Sequence, residues 1–334
     1  MLNPKPAQGG ARLAVDVGGT ALKGVVVDDS GAVVHQASIA TFGVHATPGD
    51  ALIGLLSDMA DKAIGVGLRP TGIGISAPGL IDSANQVVTY AANLGWIDYP
   101  VGREVGRRFG LPVAIEHDAR AGAIAERAAH ADHHERYDDF IFVPIGTGVA
   151  AAITTGGRLI NGAHGGAGEF GHMQVKPGGE QCACGQLGCL EAYASAVNVV
   201  RRYREHGGSD ASDARELVEV LARDPIARHV WDDLIDALAT GLASLTAVLD
   251  PERIVIGGGL SRAGPALFQP LTTELATRLR WRTSPALEQS TLSSHAGLIG
   301  AALIAHGTAA PRRRFVQRAL HGLNVPDHGE PHPA

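Results

Sequence analysis

The chain has 334 residues, of which 45% are hydrophobic, 19% charged and 4% aromatic, and this length allows two domains with separate cores. Its formal net charge of −6 argues against a nucleic-acid-binding protein, because phosphate binding needs a basic face. No apolar run reaches the length of a membrane span, and residues 1–10 lack the apolar centre of a signal peptide, so we expect no membrane association and a cytoplasmic location.

The first part of the chain reads as strands joined by tight turns. Strands are predicted at 11–17 and 22–28, on either side of Gly18-Gly19-Thr20, and a third strand at about 32–40. Apolar patterns then predict a helix at 49–66, a strand at 72–76, a helix near 100–109, a strand at 112–116 and a helix from Asp118 to about 129.

The second part begins in the same way. Strands are predicted at 139–145 and 148–154, followed by an irregular Gly-rich stretch at 156–190, helices at about 211–223 and 227–249, a strand at 253–256 and a helix at about 297–306. Because both parts open with a strand, a glycine turn and a strand, we interpret them as two related α/β lobes around a cleft. We expect the N-terminal lobe at 1–117, the C-terminal lobe at 118–306, with a final helix that can pack back on the first lobe, and a flexible tail at 307–334 with a short helix at 313–322.

A metal site is predicted in the irregular stretch. The three cysteines, Cys182, Cys184 and Cys189, lie within eight residues, and His172 lies ten residues before the first of them. An odd, clustered set of cysteines is a poor disulfide framework. Three thiolates and one imidazole suit tetrahedral Zn²⁺, and a site closed by four protein ligands is structural rather than catalytic. The alternative, three buried free cysteines, is disfavoured by the clustering.

Three glycine turns are candidate phosphate loops. In the first, the backbone amides of Gly18 and Gly19 and the Thr20 hydroxyl can donate to phosphate, Lys23 can neutralise charge, and Asp16 can hold Mg²⁺ directly or through water. Alone, this turn would be explained equally well as a glycine-rich β-turn. Two further turns, Gly146-Thr147-Gly148 and Gly257-Gly258-Gly259, favour a nucleotide cleft.

A candidate catalytic carboxylate, Asp118, stands at a strand-to-helix junction. An isolated Asp there would best be explained as a helix N-cap, but a phosphotransferase needs a carboxylate to orient a hydroxyl and accept its proton. Polar residues on Gly-rich loops could complete a sugar site: Asn93, Glu169, His172 and Glu191. Glu169 and Glu191 flank the metal ligands, so zinc would fix both.

These motifs resemble those of the ROK family (repressors, open reading frames and sugar kinases), which is part of the actin-like, hexokinase-type superfamily of ATPases. The resemblance covers about residues 11–306 and rests on DVGGTALK, GEFGH, CACGQLGCLEAYAS, GTGVA and IVIGGGLS. It implies a two-lobed α/β fold, ATP with Mg²⁺, a structural Zn²⁺ and a homodimer. It also implies that Asp118 is the base for the 6-hydroxyl of a hexose, that Glu169, His172 and Glu191 bind sugar hydroxyls, and that Gly79 and Asn93 line the same pocket.

Two residues depart from the family pattern: His117 and Arg120 stand where the family usually has Asn, on either side of Asp118-Ala119. The Asn replaced by His117 normally binds a sugar hydroxyl, so His117 is a candidate substrate ligand and leaves the choice of sugar open. We expect glucose, with N-acetylmannosamine or N-acetylglucosamine as the alternative. ATP is the expected donor, because polyphosphate-using relatives generally lack the zinc loop. A sugar-binding regulator without a DNA-binding domain is a further alternative, since only about ten residues precede the first motif.

Overall fold

The computed structural model describes residues 9–44, 47–131, 137–307 and 313–323. Its strands are β1 (Gly10–Val17), β2 (Ala21–Asp28), β3 (Val33–Ala40), β4 (Arg69–Ala77), β5 (Leu80–Asp82), β6 (Val87–Ala91), β7 (Trp96–Tyr99), β8 (Val113–His117), β9 (Phe140–Pro144), β10 (Ala152–Thr155), β11 (Arg158–Leu159), β12 (Arg253–Gly257) and β13 (Ala286–Gln289). Its α-helices are α1 (Pro48–Gly65), α2 (Val101–Phe109), α3 (Asp118–Ala129), α4 (Glu191–Ala194), α5 (Ala196–Glu205), α6 (Ala214–Val220), α7 (Pro225–Leu249), α8 (Pro265–Arg278), α9 (Ala296–Ile304) and α10 (Arg313–Gly322).

The chain forms two compact units, the first within residues 1–134 and 295–334. The central sheet of this unit has the order β3-β2-β1-β4-β8, in which the first three strands are antiparallel and β1, β4 and β8 are parallel. Its apolar core combines the buried face of α1 with the β-branched residues of β1, β2 and β4. Helix α9 packs on β1, β4 and α3. A small antiparallel sheet, β5-β6-β7, lies between β4 and α2 in the sequence.

The second unit lies within residues 135–294. Its sheet has the order β11-β10-β9-β12-β13, again three antiparallel strands followed by parallel ones. Strand β12 is buried along its whole length, as expected for a parallel strand rich in Ile and Val. Helices α4 to α8 contribute to a separate apolar core. The two sheets therefore share one strand order, which agrees with the repeat predicted from the glycine turns.

Most long elements lie where the sequence places them, and the differences have local causes. The predicted strand at 148–154 is wrong at its start: β10 begins at Ala152, because the Ala151 amide donates to Gly168 O at 2.8 Å instead of to a sheet partner. Helix α8 was not predicted, and it contains Pro270, a residue that normally ends a helix. The short helix expected in the tail is present as α10. No helix in the described part of the chain is long and apolar enough to span a membrane.

Candidate active site and metal centre

A row of three polar side chains crosses the first sheet near the carboxyl ends of its parallel strands. Asp16 on β1 is in register with Ser76 on β4, and Ser76 is in register with Glu116 on β8. The Ser76 hydroxyl donates to Asp16 Oδ1 at 2.5 Å. In open α/β sheets, ligands bind beyond this edge. The row therefore places Asp16 where a ligand or a metal ion can be bound.

The Asp16 carboxyl has an unusual pKa, which is raised to about 6. Burial is the main cause, since it disfavours the charged form, and the nearby charge of Asp118 adds to it. The hydrogen bond from Ser76 and the charge of Lys23 oppose the rise. Lys23 lies directly across from Asp16 in the β1–β2 pair. A bound cation would stabilise the charged form of this carboxyl group.

The first glycine turn joins β1 to β2 and is supported by a buried threonine. The Gly18 amide donates to Ala21 O at 2.9 Å and closes the turn. Thr41, which is fully buried, donates its hydroxyl to Gly18 O at 2.6 Å and its amide to Thr20 O at 2.9 Å. These bonds hold the backbone while the Thr20 side chain stays exposed. Sequence reasoning missed Thr41, which lies 23 residues beyond Gly18.

Asp118 is the first residue of α3, directly after β8, and its side chain is 43% exposed. The N-cap role is taken by the preceding residue, because His117 Nδ1 accepts from the Ala119 amide at 3.2 Å. The His117 side chain is buried. Asp118 Oδ1 accepts from the same amide at 2.6 Å. Its exposure leaves the Asp118 carboxylate accessible to a substrate.

Two further candidate sugar ligands lie near this edge of the first unit. Gly79 joins β4 to β5 with a φ of +97°. Asn93 lies in a short 3-10 helix between β6 and β7, and its side chain is exposed. Asn93 Nδ2 would be 3.1 Å from a Cβ atom on Gly19. The structure thus brings Asn93 against the first glycine turn.

The other two glycine turns lie side by side in the second unit. The Ile145 amide donates to Gly257 O at 3.0 Å, and the Leu260 amide donates to Ile145 O at 3.1 Å. Gly258 has a φ of +75°, and a Cβ atom there would lie 2.3 Å from Ile145 O. Only glycine fits this position, because it has no Cβ atom and tolerates positive φ. Gly146 to Gly148 and Gly257 to Gly259 therefore form one backbone surface.

Glu191 connects the second glycine turn to the loop that bears the cysteines. Its Oε2 accepts from the Val149 amide at 2.9 Å and would lie 2.8 Å from a Cβ atom on Gly148. The Gly171 amide donates to Val149 O at 3.1 Å, which holds the Glu169–His172 segment beside the same turn. Glu191 Oε2 is thus fixed to the backbone of the second glycine turn.

The residues His172, Cys182, Cys184 and Cys189 form a cluster whose ligand atoms lie within 4.8 Å of one another. Cys184 Sγ is 3.7 Å from Cys189 Sγ, and Cys182 Sγ is 3.9 Å from His172 Nδ1. These separations fit a tetrahedral zinc site, in which Zn–S bonds of about 2.3 Å place sulfur atoms about 3.8 Å apart. His172 Nε2 faces Glu169 Oε2 at 3.9 Å, so the second ring nitrogen points away from the cluster.

The thiols of the cluster favour a bound cation. Burial, together with contacts to the other two thiols, raises the pKa of Cys189 to about 12. Burial also raises the pKa of Cys182, whereas the Gln186 amide lowers that of Cys184. Three neighbouring thiolates would repel one another unless a cation is bound between them, so metal binding would release protons.

A second set of interactions holds the base of the cysteine loop. Arg202 is buried, its Nε lies 2.5 Å from Glu180 Oε1, and it also pairs with Asp233. Lys176 lies 3.0 Å from Asp233. Two cations lie over the Tyr193 ring: Lys176 Nζ is 4.8 Å from the ring centroid, and Arg202 Cζ is 4.9 Å from it. The base of the loop is thus tied to α5 and α7 without any metal.

Comparison with known proteins identifies the family. The model of the ROK family matches residues 12–308. The chain belongs to the ROK family. A glucokinase from Halalkalibacterium halodurans is 33% identical over 86% of this chain and 92% of its own length.

Solved structures agree with this assignment. A ROK family glucokinase from Streptomyces griseus, in complex with glucose and AMPPNP, has a TM-score of 0.75 and 30% identity over 89% of this chain and 99% of that chain. A ROK family transcriptional regulator, a homolog of the E. coli MLC protein, has a TM-score of 0.77 and 25% identity over 95% of this chain and 81% of that chain. The predicted actin-like α/β fold is therefore confirmed, and the family contains both kinases and regulators.

Proposed function

We propose that this ROK protein is a glucokinase that transfers the γ-phosphoryl group of ATP to the 6-hydroxyl of glucose. The observation that carries the proposal is the exposed Asp118 carboxylate, at the same sheet edge as Asp16 and the first glycine turn. A regulator needs sugar binding alone, whereas this arrangement offers a base, a cation ligand and phosphate donors. The glucokinases among its relatives support the choice of reaction.

Each part of the site has one proposed task. Asp118 accepts the proton of the attacking hydroxyl, a step that typically contributes about 10²–10⁴-fold to rate. Asp16 would hold Mg²⁺, which would supply positive charge to neutralise the phosphates. The backbone amides of the three glycine turns and the ammonium group of Lys23 bind ATP. Transfer is then achieved by positioning and charge stabilisation.

Six residues are proposed to bind the sugar: Gly79, Asn93, His117, Glu169, His172 and Glu191. His117 Nδ1 accepts a hydrogen bond from the Ala119 amide, so the ring can offer the sugar only the donor at Nε2, where Asn would offer a donor and an acceptor. His172 Nδ1 and the three thiolates are proposed to hold a structural Zn²⁺, which leaves His172 Nε2 for the substrate.

The test is a coupled assay with ATP and a panel of glucose, N-acetylmannosamine and N-acetylglucosamine. We expect turnover with glucose, and we expect Asp118→Asn to lose at least about 100-fold in kcat while still binding glucose. Turnover with an N-acetylhexosamine alone would replace glucose by that substrate. Glucose binding without ATP turnover would favour the sugar-sensing regulator, which the likeness to a ROK regulator keeps as the second candidate.

We also propose a cytoplasmic homodimer that does not bind nucleic acid. The family resemblance suggests the dimer, and the net charge of −6 disfavours nucleic-acid binding. Analytical ultracentrifugation should give twice the mass of the 34.5 kDa chain, and a monomer at micromolar concentration would contradict it.

A further inference from the structure

One oxygen of Glu116 accepts three hydrogen bonds at the end of β8. Its Oε1 lies 3.0 Å from Ser83 Oγ, 2.8 Å from the His117 amide and 2.7 Å from Arg120 Nε. The Arg120 side chain is only 1% exposed and that of Glu116 only 12%. The bond to Arg120 is therefore a buried ion pair, which is sensitive to the loss of either partner.

The three donors come from three parts of the first unit. Ser83 directly follows β5, in the turn of the small sheet that begins beside Gly79 and holds Asn93 between β6 and β7. His117 precedes Asp118 and caps α3. Arg120 lies in the first turn of α3. The Glu116 carboxylate thus ties the small sheet to the junction that presents Asp118.

Asp118 itself has little to fix its position. Its side chain is 43% exposed, and within the described residues the partners of its Oδ1 are both neighbours in the chain: the Ala119 amide at 2.6 Å and His117 Nδ1 at 3.3 Å. The direction of the carboxylate therefore depends on the backbone of the junction. Arg120 and Glu116 act on that backbone from both sides of Asp118. The usual Asn at position 120 could not form this ion pair, because Asn carries no charge.

We propose that the Glu116–Arg120 ion pair, with Ser83, is a positioning device that sets Asp118 relative to the part of the sugar pocket formed by Gly79 and Asn93. The inference rests on the proposed kinase function. The proposal predicts different kinetic effects for substitutions of Ser83 and of Arg120. Loss of Ser83 frees the small sheet and weakens sugar binding, whereas loss of Arg120 frees the junction and slows the chemical step.

The experiment compares three variants of the full chain in steady-state kinetics and glucose titration calorimetry. Ser83→Ala should raise the KM and Kd for glucose by at least about three-fold, the loss expected for one hydrogen bond, with kcat within two-fold of wild type. Arg120→Met should lower kcat by about ten-fold or more, because small misplacements of reacting groups are costly. Arg120→Lys should recover part of the loss.

The matched control is Arg253→Met. Arg253 is also a buried arginine paired with a glutamate, since its Nη1 lies 2.9 Å from Glu288 Oε1, but it is located at the amino end of β12 and not at the glycine turn. This variant should unfold at a lower temperature and keep its kcat. An equal loss of kcat in Arg120→Met and Arg253→Met would overturn the positioning role.

Other outcomes also decide. A folded Arg120→Met variant with wild-type kcat would refute the proposal, and so would a Ser83→Ala variant with wild-type KM and Kd for glucose. If Arg120→Met does not fold, the Ser83→Ala result stands alone. If the wild-type protein itself has no kinase activity, the proposed function fails, while the Kd of Ser83→Ala for glucose still tests the link to the small sheet.

Discussion

Replacing Asp16 by Asn should make the protein more stable at neutral pH while it destroys the proposed Mg²⁺ site. The pKa of Asp16 is raised from 3.8 to about 6, mainly by burial. Such a rise in pKa corresponds to about 3 kcal/mol, because a change of one unit in pKa is worth about 1.4 kcal/mol. Since Asp16 keeps some contact with solvent, we expect a gain of about 1–3 kcal/mol in the free energy of unfolding.

The pH dependence gives the sign of this effect. Below about pH 4 the Asp16 carboxyl is protonated in both states and the variant has no advantage. Between the unfolded value of 3.8 and the folded value of about 6, the unfolded state ionises first and wild-type stability falls. Above about pH 6 the cost is complete, so the advantage of Asp16→Asn should be constant from there to pH 8.

Urea unfolding at pH 4, 5, 6, 7 and 8, without nucleotide or metal, measures this difference. Asp28→Asn is the control of opposite sign. Burial tends to raise the pKa of Asp28, but hydrogen bonds from Ser30 and Ala32 outweigh it and lower the pKa, so this variant should lose stability at neutral pH. An Asp16→Asn variant that is equally or less stable than wild type at pH 7 would refute the reasoning.

Three further changes test separate parts of the site. Thr41→Val removes the part-buried hydrogen bond to Gly18 O, so we expect a loss of about 0.5–1.5 kcal/mol in the free energy of unfolding. The KM for ATP should rise more than the KM for glucose, and an unchanged KM for ATP would count against Thr41 as a support of the turn. Gly258→Ala should lose at least about 1–3 kcal/mol in urea unfolding and weaken nucleotide binding. Gly259→Ala, with nothing within 4 Å of a new Cβ, should leave the free energy of unfolding nearly unchanged, and an equal loss of stability in the two variants would contradict the close approach of Gly258 to Ile145. Cys184→Ser should contain no bound zinc when its metal content is measured, and its KM for glucose should rise more than its KM for ATP. A zinc-free protein with normal glucose affinity would show that the metal does not support the sugar site.

The parts of the site that the sequence could predict are those held by local patterns. Strand–turn–strand spacing located β1, β2 and the first glycine turn, because alternation and glycine act over a few residues. The family and the hexose kinase prediction are borne out by the comparisons. The cysteine cluster follows from its spacing, and the structure brings its ligand atoms together with His172.

The parts of the site that the sequence could not predict depend on contacts between residues far apart in the chain. Thr41 supports Gly18 across 23 residues, and Ser83 reaches Glu116 across 33. The expectation that zinc would fix Glu191 omitted a restraint that needs no metal, the hydrogen bond from the Val149 amide to its carboxylate. No periodicity in the sequence reports such contacts, because they are set by strand order and helix packing.

The position of Glu191 implies that its two proposed ligands cannot bind independently. One oxygen of its carboxylate is fixed to the second glycine turn, and the other is proposed to meet the sugar. If glucose shifts this side chain, the affinity for the nucleotide then changes as well. Thermodynamic linkage requires the nucleotide to change the affinity for glucose by the same factor. Glucose should change the dissociation constant of a nucleotide analogue by the same factor as the analogue changes that of glucose, and Glu191→Gln should reduce both factors together.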